Sequence, residues 1–123
     1  MQKRTSMAVI TLLAGSLMAT SAMAHPTLLS ASPPADTAAA SAPTEIRLSF
    51  SDGVISNFSG VELKDQSGKK IATGKASTDP KDQKQLVIPL NAPLQQGTYT
   101  VDWHVVSVDT HRVKGTYSFK VVR

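Results

Sequence analysis

The sequence contains no cysteine. An exported domain built from it must therefore stand without disulfides. Its four methionines, Met1, Met7, Met18 and Met23, all fall within the first 23 residues. Beyond them the chain carries no sulfur, so a metal held there must be bound by nitrogen and oxygen. Histidine is nearly as scarce, with His25, His104 and His111 the only three. Aromatic residues make up 5% of the chain, too few to interleave with basic residues in a nucleic-acid surface. No apolar run approaches the roughly 20 residues that a permanent membrane span requires.

What is present at the start has the order of a secretory leader. Met1-Gln2-Lys3-Arg4 is a short basic head, Met7 to Met18 is mostly apolar, and Ala22-Met23-Ala24 offers small residues at a cleavage position. Residues 1–24 are expected to be a cleaved signal peptide and residues 25–123 one small domain. The 13 Lys and Arg include Lys3 and Arg4, so 11 remain against 9 acidic residues, a balance of +2. That mild charge gives no reason to invoke nucleic acid.

After His25 the hydrophobic pattern has a period of two. Ile46, Leu48 and Phe50 alternate with Glu45, Arg47 and Ser49, the signature of a half-buried strand. Val61 and Leu63 mark another, followed by the turn residues Asp65-Gln66-Ser67-Gly68. Lys69 to Thr73 reads as a short polar edge strand, and Lys75 to Lys84 as a charged loop. Leu86, Ile88 and Leu90 alternate around Pro89, which suggests an edge position or a bulge. Thr98 to Ser107 is the strongest strand, with Tyr99, Val101, Trp103 and Val105 on one face and Asp102 and His104 on the other. Thr116 to Val122 turns Tyr117, Phe119 and Val121 inward. Thr37 to Ala42 is small and featureless and reads as a loop. About seven short strands in roughly 100 residues point to an all-β, antiparallel sandwich.

The chemistry gathers around two places. Cleavage after Ala24 would leave His25 as the first residue, whose amine and imidazole δ-nitrogen close on one ion as a chelate. Pro26 has no N–H and so cannot add its amide. In Val108-Asp109-Thr110-His111, residues two apart in an extended segment face the same way, which would present a carboxylate and an imidazole together. Three nitrogens and one oxygen suit tetragonal Cu(II), although zinc accepts the same donors. The plain alternative is a turn in which Asp109 caps backbone N–H groups and His111 is solvated. His104 is expected to be an outward surface histidine. Asp52, at the end of a core strand, is either a turn acid or an extra carboxylate near the metal. Lys64, Lys69, Lys70, Lys75, Lys81 and Lys84 read as a solvated edge.

Taken in order, His25-Pro26, Leu48-Ser49-Phe50-Ser51-Asp52, Phe58-Ser59-Gly60, Gly97-Thr98-Tyr99-Thr100-Val101-Asp102-Trp103, Val106-Ser107-Val108-Asp109-Thr110-His111 and Gly115 to Val121 resemble the CopC family of periplasmic copper-binding proteins. The resemblance implies a seven-stranded Greek-key β-sandwich of Ig-like or cupredoxin-like form. It also implies one Cu(II) per chain, held by the amine and ring of His25, by Asp109 and by His111. Some relatives have Glu where this chain has Asp52. Several carry a methionine-rich Cu(I) loop, whereas Lys64 to Lys84 contains neither Met nor His, so a Cu(II)-only member is expected. The implied role is a monomeric periplasmic copper carrier or buffer that is not an enzyme, with a CopD-type inner-membrane importer as partner. Two rivals are a copper monooxygenase built on a terminal-histidine chelate and a metal-free Ig-like interaction module. Against the first, Asp109 would crowd the position where oxygen must bind.

Overall fold

The computed structural model describes residues 26–122. The leader and His25 lie outside them. Nine short strands follow in order: β1 Leu28–Ser32, β2 Ala38–Ala39, β3 Glu45–Phe50, β4 Gly60–Asp65, β5 Lys70–Ile71, β6 Ser77–Asp79, β7 Asp82–Pro89, β8 Gly97–Val106 and β9 Arg112–Val121, with a single 3-10 turn at Ser56–Phe58. They form two sheets, one in the order β1-β3-β7-β6 and the other β2-β9-β8-β4-β5. The all-β sandwich expected from the pattern is the observed fold, with two more short strands than the seven expected.

Period-two alternation explains which face each strand buries. Ile46, Leu48 and Phe50 of β3 and Leu86 and Ile88 of β7 meet Tyr99, Val101, Trp103 and Val105 of β8 and Phe119 and Val121 of β9 in one core. Trp103 fills the middle of it. Its ring meets Phe50 edge-on, with centroids 5.3 Å apart, and lies across Gly115, its neighbour on β9. A Cβ at position 115 would come within 2.4 Å of the indole, so only glycine lets that ring pack there.

Four local readings change. Ala38 and Ala39, read as loop, pair with Lys120 and Val121 in the one parallel ladder among the described strands. Asp36, at φ 58, makes the turn that leads into it. The Lys75–Lys84 segment is a hairpin arm rather than a loop, because Asp79 accepts from the Lys81 N–H at 2.8 Å and closes a tight turn between β6 and β7. Pro89 is neither on an edge strand nor at a bulge. It ends the inner strand β7, past the β6 pairing, where its missing N–H costs no ladder bond. Lys64 is not at an edge either. It lies on β4, between β8 and β5, and pairs across the outer face with Asp102 at 3.2 Å and Glu62 at 3.4 Å.

A similar polar cluster covers the outside of the other sheet. Arg47 of β3 donates to Asp79 and Gln85, both at 2.7 Å, and Glu45 lies 3.1 Å from its Nε. Such half-exposed pairs contribute little each. Their effect here is to fix the outer register of β3, β6 and β7. The end of the sandwich where β1 begins and β3 and β8 finish carries the residues singled out for chemistry.

Candidate metal centre

Strand β8 ends at Val106, and the chain reverses through Ser107–His111 into β9. This is the tight turn of the plain alternative and not the extended segment. The Thr110 N–H donates to the Ser107 carbonyl at 2.8 Å, and the Ser107 N–H donates to the His111 carbonyl at 2.9 Å. Thr110 takes the left-handed conformation, φ 71, that makes the reversal possible. The turn does what extended backbone was expected to do. It brings His111 Nδ1 within 3.3 Å of Asp109 Oδ2, with both side chains partly open to solvent.

Ser107 was not singled out by the sequence reading, yet it is fully buried. Its hydroxyl donates to Asp109 Oδ1 and accepts from the His111 N–H at 3.2 Å. The signal that marks it is parity. Position 107 continues the buried series 99, 101, 103 and 105, and a polar residue on a core face needs a reason to be there. The Asp109 carboxyl is held below the ordinary carboxylate range. The Ser107 hydrogen bond is the main cause, desolvation opposes it, and the His111 charge adds to it. An ionised carboxylate beside an imidazole is a competent pair of metal donors.

A second segment ties this turn to the start of β1. The Val108 N–H donates to the Gly53 carbonyl at 2.9 Å, and the Ile55 N–H to the Val106 carbonyl at 2.8 Å. Upstream, Thr27 and Ser51 exchange two bonds. The Ser51 N–H donates to the Thr27 carbonyl at 2.9 Å, and the Thr27 N–H donates to the Ser51 hydroxyl at 2.8 Å. The path Thr27, Ser51–Gly53, Val108 therefore leads from the chain's entry point to the Asp109–His111 turn without a gap. Pro26, the first described residue, is buried at its head.

The other candidates sort themselves by position. Asp52 lies within that connecting segment, partly exposed, and accepts a long 3.4 Å bond from the Ser51 hydroxyl. His104 is exposed on the outer face of β8, opposite Gly60 and Lys114, as strand alternation requires. It is not part of the turn. Among the described residues no three His, Asp, Glu or Cys side chains gather closely enough to hold an ion by themselves. Asp109 and His111 are two of the three residues expected to hold a metal, and His25, the third, lies outside the described residues.

Known proteins resemble this chain in sequence and in fold. The chain is 45% identical over 112 residues to Protein YobA of Escherichia coli strain K12, covering 91% of this chain and 90% of that one. It is 44% identical over 110 residues to a copper resistance protein C from Escherichia coli, covering 85% and 86%. The crystal structure of PcoC, a methionine-rich copper resistance protein from Escherichia coli, superposes with a TM-score of 0.70 at 43% identity, over 80% of this chain and 99% of that one. Residues 28–122 match the model of the CopC domain, and with both sheets and the Asp109–His111 turn inside that span, the chain belongs to the CopC family.

Proposed function

We propose that this protein is a periplasmic Cu(II) carrier or buffer in copper resistance or supply, and not an enzyme. The observation that carries the reading is the turn that pairs Asp109 with His111 and is joined through Val108, Gly53 and Ser51 to Thr27, two residues after His25. Leader removal would place a free amine and an imidazole at the head of that path. Amine, two imidazoles and one carboxylate form a nitrogen and oxygen set suited to tetragonal Cu(II), one ion per chain. Relatives that carry the name copper resistance protein C support copper over zinc. Asp52, in the connecting segment, is the candidate for an extra ligand or for a carboxylate that orients the set.

Copper carried in this way is cargo, and the bound ion needs a route onward. An inner-membrane importer of the CopD type is the partner that the reading expects, with the carrier itself acting as a monomer. Among the described residues no helix is long and apolar enough to cross a membrane.

The decisive experiment concerns the terminus. Intact mass should show a chain that begins at His25, and that form should bind one Cu(II). One extra glycine before His25 removes the amine chelate and should weaken binding by at least 100-fold, about 2.7 kcal/mol. Equal affinity with and without the added glycine would sink the proposal.

A further inference from the structure

The buried face of β8 runs through Tyr99, Val101, Trp103 and Val105, and Ser107 takes the next position on it at 0% exposure. A hydroxyl enclosed in this way is unfavourable unless its hydrogen bonds are made. All of its side-chain bonds go to the two residues assigned to the ion: it donates to Asp109 Oδ1, with the His111 carbonyl as a second, long acceptor at 3.4 Å, and it accepts from the His111 N–H at 3.2 Å. The core itself does not call for the hydroxyl, since an alanine would occupy the same place and the turn's backbone bonds would remain. What the hydroxyl adds is orientation. It engages Oδ1 and thereby turns Oδ2 toward the imidazole, 3.3 Å from Nδ1.

We infer that Ser107 is a positioning residue for the metal centre: it presets the Asp109–His111 pair before an ion arrives and leaves one carboxylate oxygen, Oδ2, as the donor. The inference rests on the Cu(II) reading of the same turn. Loss of the hydroxyl frees Oδ1 and removes one acceptor from the His111 N–H, leaving it the Asp109 carboxylate alone. Asp109 can then swing, and a carboxylate that offers both oxygens changes the ligand field of a bound Cu(II) ion.

The experiment uses the mature protein with Ser107→Ala and Ser107→Thr. In the metal-free state the His111 amide should exchange with solvent about tenfold faster in Ser107→Ala, with the Val101 amide unchanged as a check on the fold. The loaded Ser107→Ala protein should bind Cu(II) about tenfold more weakly, with shifted parallel g and copper hyperfine values in its electron paramagnetic resonance spectrum. Ser107→Thr should restore both. A measurement on the unmutated protein stands beside these: the Ser107 hydroxyl proton should be visible as a slowly exchanging resonance without metal. Wild-type exchange and spectrum in Ser107→Ala, a folded Ser107→Thr that behaves like Ser107→Ala, or a hydroxyl proton in fast exchange would each overturn the inference and leave the copper reading standing. An unmutated mature protein that binds no Cu(II) would overturn both, and that outcome is read before any variant is made.

Discussion

Two aspartates occupy turns at opposite ends of the sandwich and show what separates a turn acid from a candidate metal donor. Asp65, between β4 and β5, accepts on Oδ1 from the Ser67 N–H at 2.9 Å, the Ser67 hydroxyl at 2.6 Å and the Lys69 N–H at 3.0 Å. Gly68, at φ 84, completes that turn. Asp109, between β8 and β9, accepts chiefly from the Ser107 hydroxyl, with smaller help from its own and the His111 backbone N–H, and faces an imidazole with Oδ2. Both carboxyls are held below the ordinary range, and in both the nearest serine is the first cause. Ionisation therefore does not mark the site. The neighbour does: a lysine-bearing loop folded on itself at one end, an imidazole nitrogen 3.3 Å away at the other.

The largest expected break in this contrast comes from His111→Ala, which should weaken Cu(II) binding about 100-fold or more in a competition titration against a calibrated chelator. Asp109→Ala should cost about tenfold, because a carboxylate donates more weakly than an imidazole and partly orients. Asp65→Ala and His104→Ala should leave the affinity where it is. A loss for His104→Ala equal to that for His111→Ala would reverse the assignment of faces.

The oxidation state sharpens the same comparison. The Lys64–Lys84 stretch that forms the far turn and its neighbours offers neither Met nor His, and no sulfur follows Met23. Cu(I) prefers soft sulfur donors, so reduction should loosen binding by at least tenfold. Anaerobic titration against a Cu(I) chelator measures it, and a Cu(I) affinity at or above the Cu(II) value would require a ligand set at the far end.

Acid should act on both turns alike. The Asp65, Asp79, Asp102 and Asp109 carboxyls all lie below the ordinary value of 3.8. A depressed carboxyl contributes stability that is complete above its unfolded value and is lost as pH falls through the folded one. Melting of the metal-free protein should therefore hold steady at neutral pH and decline below about pH 4, with a flatter decline in Asp65→Asn. The smallest effect belongs between the ends. The Tyr117 hydroxyl, midway along β9, is buried without a hydrogen-bond partner, and burial raises its pKa. Tyr117→Phe removes that group at little change in shape and should be neutral or more stable by about 1 kcal/mol in denaturant unfolding.

How far the sequence speaks differs along these same lines. Strand faces were legible from alternation, which placed Ile46, Leu48, Phe50, Trp103 and Phe119 in the core and His104 outside. Parity also brought Asp109 and His111 together, although the physical agent is the turn at Thr110 rather than extended backbone. Pairings between distant segments were not legible. The parallel ladder of Ala38–Ala39 depends on β9 lying beside it, and the placement of Lys64 depends on which strand flanks β4. Ser107 escaped because serine at a strand end looks like turn chemistry until the neighbouring positions show that it faces inward.

The chain has one tryptophan, and that ring is wedged between Phe50 and the bare backbone of Gly115. Its fluorescence consequently comes from a single environment that exists only while both sheets are closed on each other. Emission should be shifted to the blue in the folded protein and move to the red in one step on unfolding, free of overlap from any second indole. The protein thus contains its own optical gauge of sandwich closure, readable at micromolar concentration without a label.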